Sequence, residues 1–368
     1  MSTDNIFKNI FNNKKVFVTG HTGFIGTWLS LWLKSLGSDV TGYSLESTTK
    51  PSLFEIVELE KEINHIHGDL TDSKKLSKSV EEINPDILFH LGAQALVRKS
   101  YLKPLETLNT NVIGTANVFD AIRNCESVKV AINMTSDKCY DNTFSKKPHI
   151  ENDPMGGHDP YSVSKGASEL ITASYRNSFF HSEETCKIAT ARCGNVIGGG
   201  DWSDDRIIPD SVRALSKNED VVIRNPNATR PWQHVLESIS GILWLATRMF
   251  EDKGFDEAWN FGPDSYSNSI SVEELVKLII KLWGSENSIR IQDTSTQLYE
   301  SELLMLDSTK SYERLNWKNT LSLNETLSKT IEWYKMHNEQ NRNAKEFTIF
   351  QIKKYVELAQ QRDLIWTK

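Results

Sequence analysis

The chain has 368 residues, which is enough for one large domain that carries a smaller lobe. Its hydrophobic fraction of 38% and charged fraction of 25% are ordinary for a globular protein and exclude a disordered chain. Because 42 Lys and Arg stand against 49 Asp and Glu, the net charge of -7 provides no basic field to attract phosphate backbones, which excludes nucleic acid as a partner.

The four cysteines are isolated from one another along the chain, and none forms a CxxC pair, as expected for reduced thiols. The amino terminus is polar and the sequence has no apolar run long enough to span a bilayer, so it predicts neither a signal peptide nor a membrane span. No cluster has metal-ligand spacing, and we expect no metal. These features predict a cytoplasmic protein without a membrane partner.

Short apolar runs alternate with longer amphipathic stretches in the first half of the chain. The predicted strands are residues 15–19, 39–43, 63–67, 86–91, 129–134 and 187–192. The predicted helices lie near residues 24–36, 72–83, 105–123 and 161–178. Runs that are apolar without strict alternation are typical of strands covered on both faces. The order predicts an α/β fold with a doubly wound, mostly parallel, Rossmann-type sheet.

Past residue 197, loops rich in glycine and proline indicate a smaller, mixed α/β C-terminal substrate lobe. One later run, 258–261, is predicted to return to the first sheet, and the last thirty residues have the pattern of a packed helix. We therefore place the domain of the first sheet at 1–197 plus about 233–267. The smaller lobe takes about 198–232 plus 268–368.

The first strand leads directly into a glycine pattern at Gly20, Gly23 and Gly26. The first glycine allows a tight turn, the second lets a pyrophosphate approach the backbone, and the third permits close packing of helix on sheet. We predict dinucleotide contacts along this loop and just after the third strand; these also include Thr22, Phe24, Ile25, Asp69 and Leu70.

The end of the second strand, residues 42–46, has no basic residue for a 2′-phosphate, which favours NAD over NADP. After the third strand, Asp69 has two readings, a contact with the adenine edge or a plain helix N-cap.

Tyr161 and Lys165 are four residues apart on a predicted helix, so the phenol and the ammonium lie on one face. Asp159 and Pro160 suit the N-cap and the first helical position. We expect Lys165 and a bound nicotinamide cation to lower the tyrosine pKa toward neutrality, which would make Tyr161 a general base.

The fifth predicted strand ends in Ser136, Asp137 and Lys138. Doubly wound folds place their chemistry at the carboxyl ends of strands, so these side chains should lie beside the nicotinamide.

Several stretches resemble the CDP-glucose 4,6-dehydratases of the extended short-chain dehydrogenase/reductase superfamily, and the resemblance covers nearly the whole chain. They include residues 16–24, 96–101, 135–140, 194–202 and 223–234. The resemblance implies a carbon-oxygen lyase that converts CDP-glucose to CDP-4-keto-6-deoxyglucose with internal hydride transfer through bound NAD. It also implies a role in deoxysugar synthesis for surface polysaccharide such as the O-antigen of lipopolysaccharide.

By this resemblance, Ser136 hydrogen-bonds the sugar O4 and Asp137 is the acid at the departing C6 hydroxyl. Lys138 occupies the C5 base position, where it either removes the proton or stabilises the enolate; both readings stay open. Nucleotide and diphosphate contacts are implied for Arg98, Asn195, Arg206, Arg224, Arg230 and His234. The segment 221–230 is the expected source of selectivity for cytosine.

The resemblance further implies a homodimer or a dimer of dimers, formed by the helices near 105–123 and 161–178. Three alternatives remain at this stage. The chain could be a 4,6-dehydratase for another nucleotide sugar, a C4 epimerase, or a regulator that senses dinucleotide without catalysis. Asp137 and Lys138 argue against an epimerase, which needs no acid and base for elimination, and Tyr161 argues against a regulator.

Overall fold

The computed structural model describes residues 5–141, 147–182, 185–252, 254–263, 269–292, 304–339 and 343–368. The strands are β1 (Lys15–Thr19), β2 (Asp39–Ser44), β3 (Asn64–His67), β4 (Ile87–His90), β5 (Val130–Met134), β6 (Lys187–Cys193), β7 (Asn195–Ile197), β8 (Val221–Ile223), β9 (Thr229–His234), β10 (Ala258–Phe261), β11 (Ser269–Ser271) and β12 (Ile289–Ile291).

The α-helices in these ranges are α1 (Phe24–Ser35), α2 (Leu53–Ile56), α3 (Ser73–Ile83), α4 (Val97–Leu102), α5 (Pro104–Leu108), α6 (Gly114–Arg123), α7 (Pro160–Phe179), α8 (Ile207–Ser216), α9 (Val235–Glu251), α10 (Val272–Trp283), α11 (Thr309–Arg314), α12 (Leu323–Asn338) and α13 (Ala344–Gln361). None of the helices within the described ranges is both long and apolar enough to cross a lipid bilayer.

A seven-stranded parallel sheet forms the centre of the molecule, in the order β10-β6-β5-β4-β1-β2-β3. In the middle of this sheet, Val16 of β1 pairs with Val40 of β2 on one side and with Ile87 of β4 on the other. The predicted doubly wound α/β fold is confirmed. The predicted return of the chain to this sheet is also confirmed, because β10 pairs in parallel with β6.

Both faces of the sheet are covered by helices. Val16 and Val18 face one apolar cluster, whereas Phe17 between them faces the other, because successive strand side chains point to opposite sides. All three are fully buried, which explains why polar and apolar residues do not alternate along this strand. The carboxyl ends of the strands are therefore the part of this sheet that is open to chemistry.

Two smaller sheets lie outside the central one, in the orders β11-β9-β7 and β12-β8. Their strands come from the region assigned to the substrate lobe, apart from β7, which lies at its edge. The boundaries proposed between the two domains stay a prediction.

The helix expected over 105–123 is interrupted. Between α5 and α6, residues Asn109–Ile113 form a π-helical turn. A π-helical turn contains one more residue than an α-helical turn, and here it directs Asn111 inward. Asn111 Oδ1 accepts a hydrogen bond from the backbone nitrogen of Gln94, and its Nδ2 donates one to Ser164 Oγ, both at 2.8 Å. This turn ties the segment to α7.

Candidate active site

The glycine-rich loop between β1 and α1 has a backbone that requires glycine at two positions. Gly20 has a φ of +75°, and a Cβ there would lie 2.6 Å from the backbone nitrogen of Gly92. At Gly26 a Cβ would lie 2.2 Å from the carbonyl oxygen of Gly20. Gly23 caps α1 without a side-chain hydrogen bond, so the amides of the first turn can bind a phosphate. This geometry fits the pyrophosphate of a dinucleotide.

The same loop is tied to the end of β2. The Thr22 hydroxyl hydrogen-bonds Ser44 Oγ and donates to the carbonyl oxygen of Leu45, both at 2.9 Å. Phe24 and Ile25 are partly buried at the start of α1. The predicted cofactor residues of this loop therefore lie together, and the contacts assigned to them stay predictions.

Asp69 follows β3, and its Oδ1 accepts hydrogen bonds from the backbone nitrogen and the hydroxyl of Thr71, both at 2.8 Å. The cap of α3 is instead Asp72, whose side chain accepts from the backbone nitrogen of Lys75 at 3.0 Å. The N-cap reading of Asp69 is therefore wrong, and its contact with adenine stays a prediction. Leu70 is almost fully buried.

Helix α7 begins as the sequence predicts. Asp159 Oδ1 accepts from the backbone nitrogen of Ser162 at 2.9 Å and caps the helix. Tyr161 and Lys165 are buried one turn apart. Lys165 Nζ lies 3.5 Å from the carbonyl oxygen of Met134, the last residue of β5. The pair therefore stands at the carboxyl end of the central sheet.

Burial dominates the acid–base properties of this pair. It raises the pKa of Tyr161 to about 12, against the lowering effects of a hydrogen bond with Ser136 and of the Arg206 charge. It also lowers the pKa of Lys165 to about 8. The expected lowering of the phenol pKa by Lys165 together with a bound nicotinamide cation stays a prediction.

Ser136 and Asp137 follow β5 after one residue, Thr135, and Asp137 begins a short 3-10 turn, Asp137–Cys139. Ser136 Oγ donates to Asp137 Oδ1 at 2.9 Å and accepts from the backbone nitrogen of Lys138 at 3.2 Å. Within the described residues, the second carboxyl oxygen of Asp137 is buried without a hydrogen-bond partner. Burial raises the pKa of Asp137, although the charges of Lys138 and Arg230 oppose the rise. The carboxyl therefore keeps its proton to a higher pH than an exposed one.

The unpartnered oxygen of Asp137 faces Gly194. A Cβ at Gly194 would lie 3.5 Å from this oxygen and 4.0 Å from the carbonyl oxygen of Pro231, which are ordinary contact distances. Space for a small group therefore exists beside the carboxyl. Asn195, the next residue, is half-buried and pairs with Trp232 across β7 and β9.

Two of the predicted substrate arginines meet at a residue that the sequence did not single out. Arg98 Nη1 and Arg224 Nη1 lie 3.4 Å and 2.8 Å from the same oxygen, Asp205 Oδ1. Arg206 pairs with Asp201 at 3.2 Å. Arg206 and Arg230 are close enough to the catalytic candidates for their charges to act on the pKa values of Tyr161 and Asp137, respectively.

His234 differs from the other predicted substrate residues. It is fully buried, and its Nδ1 accepts from the backbone nitrogen of Leu236 at 3.3 Å, at the start of α9. Its ring packs edge-on against Trp28, and burial lowers its pKa to about 3. The contact between His234 and the nucleotide stays a prediction.

Sequence reasoning missed the polar residues beneath the site. Glu169 and Arg192 form an ion pair at 2.8 Å with only 4% of each side chain exposed. A signal was available, because Glu169 stands four residues after Lys165 on the same helical face, where a buried carboxylate needs a partner. Arg192 similarly carries a charge in a strand that is buried from Ile188 to Cys193.

The sequence model of the family described as GDP-mannose 4,6 dehydratase matches residues 17–330 of the chain. A CDP-glucose 4,6-dehydratase from Salmonella typhimurium is 46% identical over 335 residues, covering 90% of this chain and 93% of that protein. A human dTDP-D-glucose 4,6-dehydratase is 25% identical over 347 residues, covering 89% and 92%.

Solved structures with similar folds include a dTDP-glucose 4,6-dehydratase from Bacillus anthracis in complex with NAD. Its TM-score is 0.74 at 19% identity, covering 89% of this chain and 98% of that one. A UDP-glucose 4-epimerase from Thermotoga maritima with UDP-glucose gives a TM-score of 0.76 at 23% identity, covering 88% and 99%. At these identities the likeness concerns the fold, which dehydratases and epimerases share.

Proposed function

Because the chain belongs to the GDP-mannose 4,6-dehydratase family, we propose that it is a nucleotide-sugar 4,6-dehydratase, a carbon-oxygen lyase, and that its substrate is CDP-glucose. The observation that carries the reaction type is the buried Asp137, which accepts a hydrogen bond from Ser136 near Tyr161 and whose pKa is raised by burial. An elimination needs such an acid, whereas epimerisation at C4 does not. The choice of CDP-glucose rests on the 46% identity with a dehydratase of that name.

The cofactor we propose is NAD, held by the glycine loop and the start of α1. Gly20 and Gly26 leave the backbone room that a pyrophosphate needs, and the amides at the start of α1 suit its charge. When bound, NAD would supply a reversible two-electron carrier, which oxidation at C4 and reduction at C6 both require.

The first proton transfer is assigned to Tyr161. Its phenol lies within hydrogen-bonding reach of Ser136, so a sugar hydroxyl at this point can contact both residues. Tyr161 takes the proton of the C4 hydroxyl, and Ser136 orients O4. Burial raises the pKa of the tyrosine and the Arg206 charge opposes the rise. The step would therefore also need positive charge from Lys165 and from the nicotinamide ring of the bound cofactor.

Elimination is assigned to Asp137 and Lys138. The ketone at C4 acidifies the proton at C5, and Lys138 either removes this proton or stabilises the resulting enolate. Asp137 donates its proton to the C6 oxygen, which leaves as water. The gap beside Gly194 gives that oxygen a place next to the carboxyl. Water exclusion by the buried surroundings strengthens both charge interactions.

The nucleotide is assigned to the arginines around the cleft. Arg230 and Arg206 lie on the catalytic side and suit the diphosphate, since a guanidinium grips phosphate with two hydrogen bonds. Arg224, next to Arg98 at Asp205, belongs to the segment that we expect to select cytosine, and Asn195 completes the set.

We also propose that two copies of the chain associate through α4, α5 and α7. Leu102, Leu105 and Leu170 on these helices are 83%, 74% and 61% exposed, which is costly for leucine in water. A second copy would cover them in a symmetric dimer. Light scattering should therefore give at least a dimer, and a monomer at working concentration would contradict this part of the proposal.

The reaction is placed in the cytoplasm, where the four buried free thiols would stay reduced and where deoxysugar precursors of surface polysaccharide would be used. Incubation with CDP-glucose and NAD, followed by mass spectrometry, tests the reaction type. Loss of one water is expected. An isomer of unchanged mass would indicate an epimerase, and unchanged substrate with every nucleotide sugar would indicate a dinucleotide-sensing protein.

A further inference from the structure

A buried carboxylate joins the catalytic helix to the strand that carries Ser136 and Asp137. Glu169 lies on α7 one turn after Lys165 and is 4% exposed. Its Oε1 accepts from the hydroxyl of Thr135, and its Oε2 accepts from the hydroxyl of Thr190 at 2.8 Å and from Arg192 Nη2 at 2.8 Å. The donors come from the end of β5 and from β6, so one side chain connects three elements.

The ionised form of Glu169 is secured by its partners. Burial alone would raise the pKa of Glu169, but the charge of Arg192 and the hydrogen bonds from Arg192 and both threonines lower it below its usual value. Arg192 is fixed in turn, because its Nη1 donates to the hydroxyl of Tyr140 and to the carbonyl oxygen of Glu151. A buried, paired carboxylate with these donors has little freedom to move.

Thr135 connects Glu169 to the catalytic candidate Ser136. Its backbone nitrogen donates to the carbonyl oxygen of Ala191 at 2.9 Å, which fixes the main chain to β6. Its hydroxyl is held by Glu169 on α7. The next residue is Ser136, whose side chain lies close enough to Tyr161 of the same helix to lower the pKa of its phenol. The position of Ser136 relative to Tyr161 is thus set from both sides.

We propose that Glu169 is a positioning residue for the dehydratase reaction: through Thr135 it holds the end of β5 against α7, so that Ser136 and Asp137 meet the substrate in register with Tyr161. This inference rests on the proposed function. Its physical basis is that a displacement of about 1 Å at a reacting group can cost on the order of 100-fold in rate.

The chain offers a matched pair of variants, because Thr135 and Thr190 both donate to Glu169 and both are buried. Thr135→Val and Thr190→Val each remove one donor from the same carboxylate while keeping the side-chain shape. The change at Thr135 adjoins Ser136, whereas Thr190 lies inside β6. Thr135→Ser keeps the hydroxyl and serves as the rescue variant.

We expect Thr135→Val to lower kcat by at least about tenfold with a nearly unchanged KM, since binding contacts remain while geometry is lost. Thr135→Ser should recover most of this loss. Thr190→Val should lose at least severalfold less kcat than Thr135→Val, although the thermal midpoints of the two valine variants should fall by similar amounts. Equal losses of kcat in both valine variants, or none in Thr135→Val, would overturn the inference.

A readout that does not need activity separates this inference from the proposed function. Hydrogen exchange of the peptide that spans residues 135–140 should accelerate in Thr135→Val and not in Thr190→Val. If the parent enzyme fails to dehydrate CDP-glucose, the proposed function fails, and exchange still decides whether Glu169 holds this segment. Equal exchange in the two variants would contradict the positioning role.

Discussion

Glu169 and Glu237 are buried to nearly the same degree in two regions of the molecule, yet their pKa values shift in opposite directions. Glu169, beneath the catalytic residues, is paired with Arg192 and has a lowered pKa. Glu237, in the first turn of α9, is bonded to neutral groups, namely the backbone nitrogens of Thr320 and Leu321 and the hydroxyl of Tyr355. Burial raises its pKa to about 7.

The difference shows that the partner, and not the depth, decides whether a buried carboxylate keeps its charge. The region under the site holds a charge that is constant over the working pH range. The contact between α9 and the C-terminal segments holds a group that titrates near neutrality. Glu237 should therefore add a pH dependence of folding away from the site, whereas a pH dependence of catalysis should arise from Asp137.

The comparison predicts its largest effect for Glu169→Gln. The substitution leaves Arg192 buried without its counter-charge, which should reduce the free energy of unfolding by about 3–5 kcal/mol. Glu237→Gln is the matched control, because the glutamine amide can keep these contacts. The Tyr355 hydroxyl, which donates to Glu237, would then accept a hydrogen bond from the amide nitrogen. Urea denaturation at neutral pH measures both. A loss in Glu169→Gln no larger than in Glu237→Gln would break the comparison.

The pH dependence of stability gives the next largest effect. Because the folded-state pKa of Glu237 is raised from 4.5 to about 7, its contribution is fully present below about pH 4.5 and is lost as the pH rises through about 7. The change amounts to at most about 3 kcal/mol. Glu237→Gln should flatten the curve between about pH 5 and 8. An unchanged slope in that variant would assign the pH dependence to another group.

Asp137 is another buried carboxylate, and it resembles Glu237 because its pKa is raised. Asp137→Asn removes the proton donor and should slow loss of water by about 100-fold. Oxidation at C4 does not use this proton, so deuterium from solvent should still exchange into C5. The parent should lose activity as the pH rises through the pKa of Asp137. Tyr161→Phe is the control that stops both water loss and exchange; parent-like dehydration by Asp137→Asn would refute the acid role.

The smallest effect is expected at the arginines. Arg230→Ala should raise KM by about tenfold for every nucleotide sugar, since we assign Arg230 to the diphosphate that all of them share. Arg224→Ala is the matched control and should change the preference among bases. If Arg230→Ala instead raised KM for one nucleotide sugar only, the roles assigned to the two arginines would be reversed.

The parts of the structure that follow local rules were predictable. Gly20, Gly23 and Gly26 after a buried strand, and Tyr161 with Lys165 one turn apart, need only backbone sterics and helical spacing. The sheet followed from apolar runs alternating with helical patterns. These features are set by residues close to one another in the sequence.

The parts that failed depend on long-range partners. The interruption of the predicted helix at 109–113 follows from Asn111 reaching Gln94 and Ser164, which no periodicity reveals. That His234 is buried and caps α9 likewise does not follow from the local sequence. Glu169 and Arg192 meet only because α7 packs on the sheet. Burial and pairing between distant segments had to be observed.

The specificity of the intact enzyme tests the central claim most directly. With NAD present, kcat/KM should be measured for CDP-glucose, dTDP-glucose, a UDP-sugar and a GDP-sugar under one set of conditions, with water loss followed by mass spectrometry. We predict that CDP-glucose is favoured by at least about tenfold, a difference of roughly 1.4 kcal/mol. A higher kcat/KM for dTDP-glucose or for a GDP-sugar would contradict the assignment to CDP-glucose.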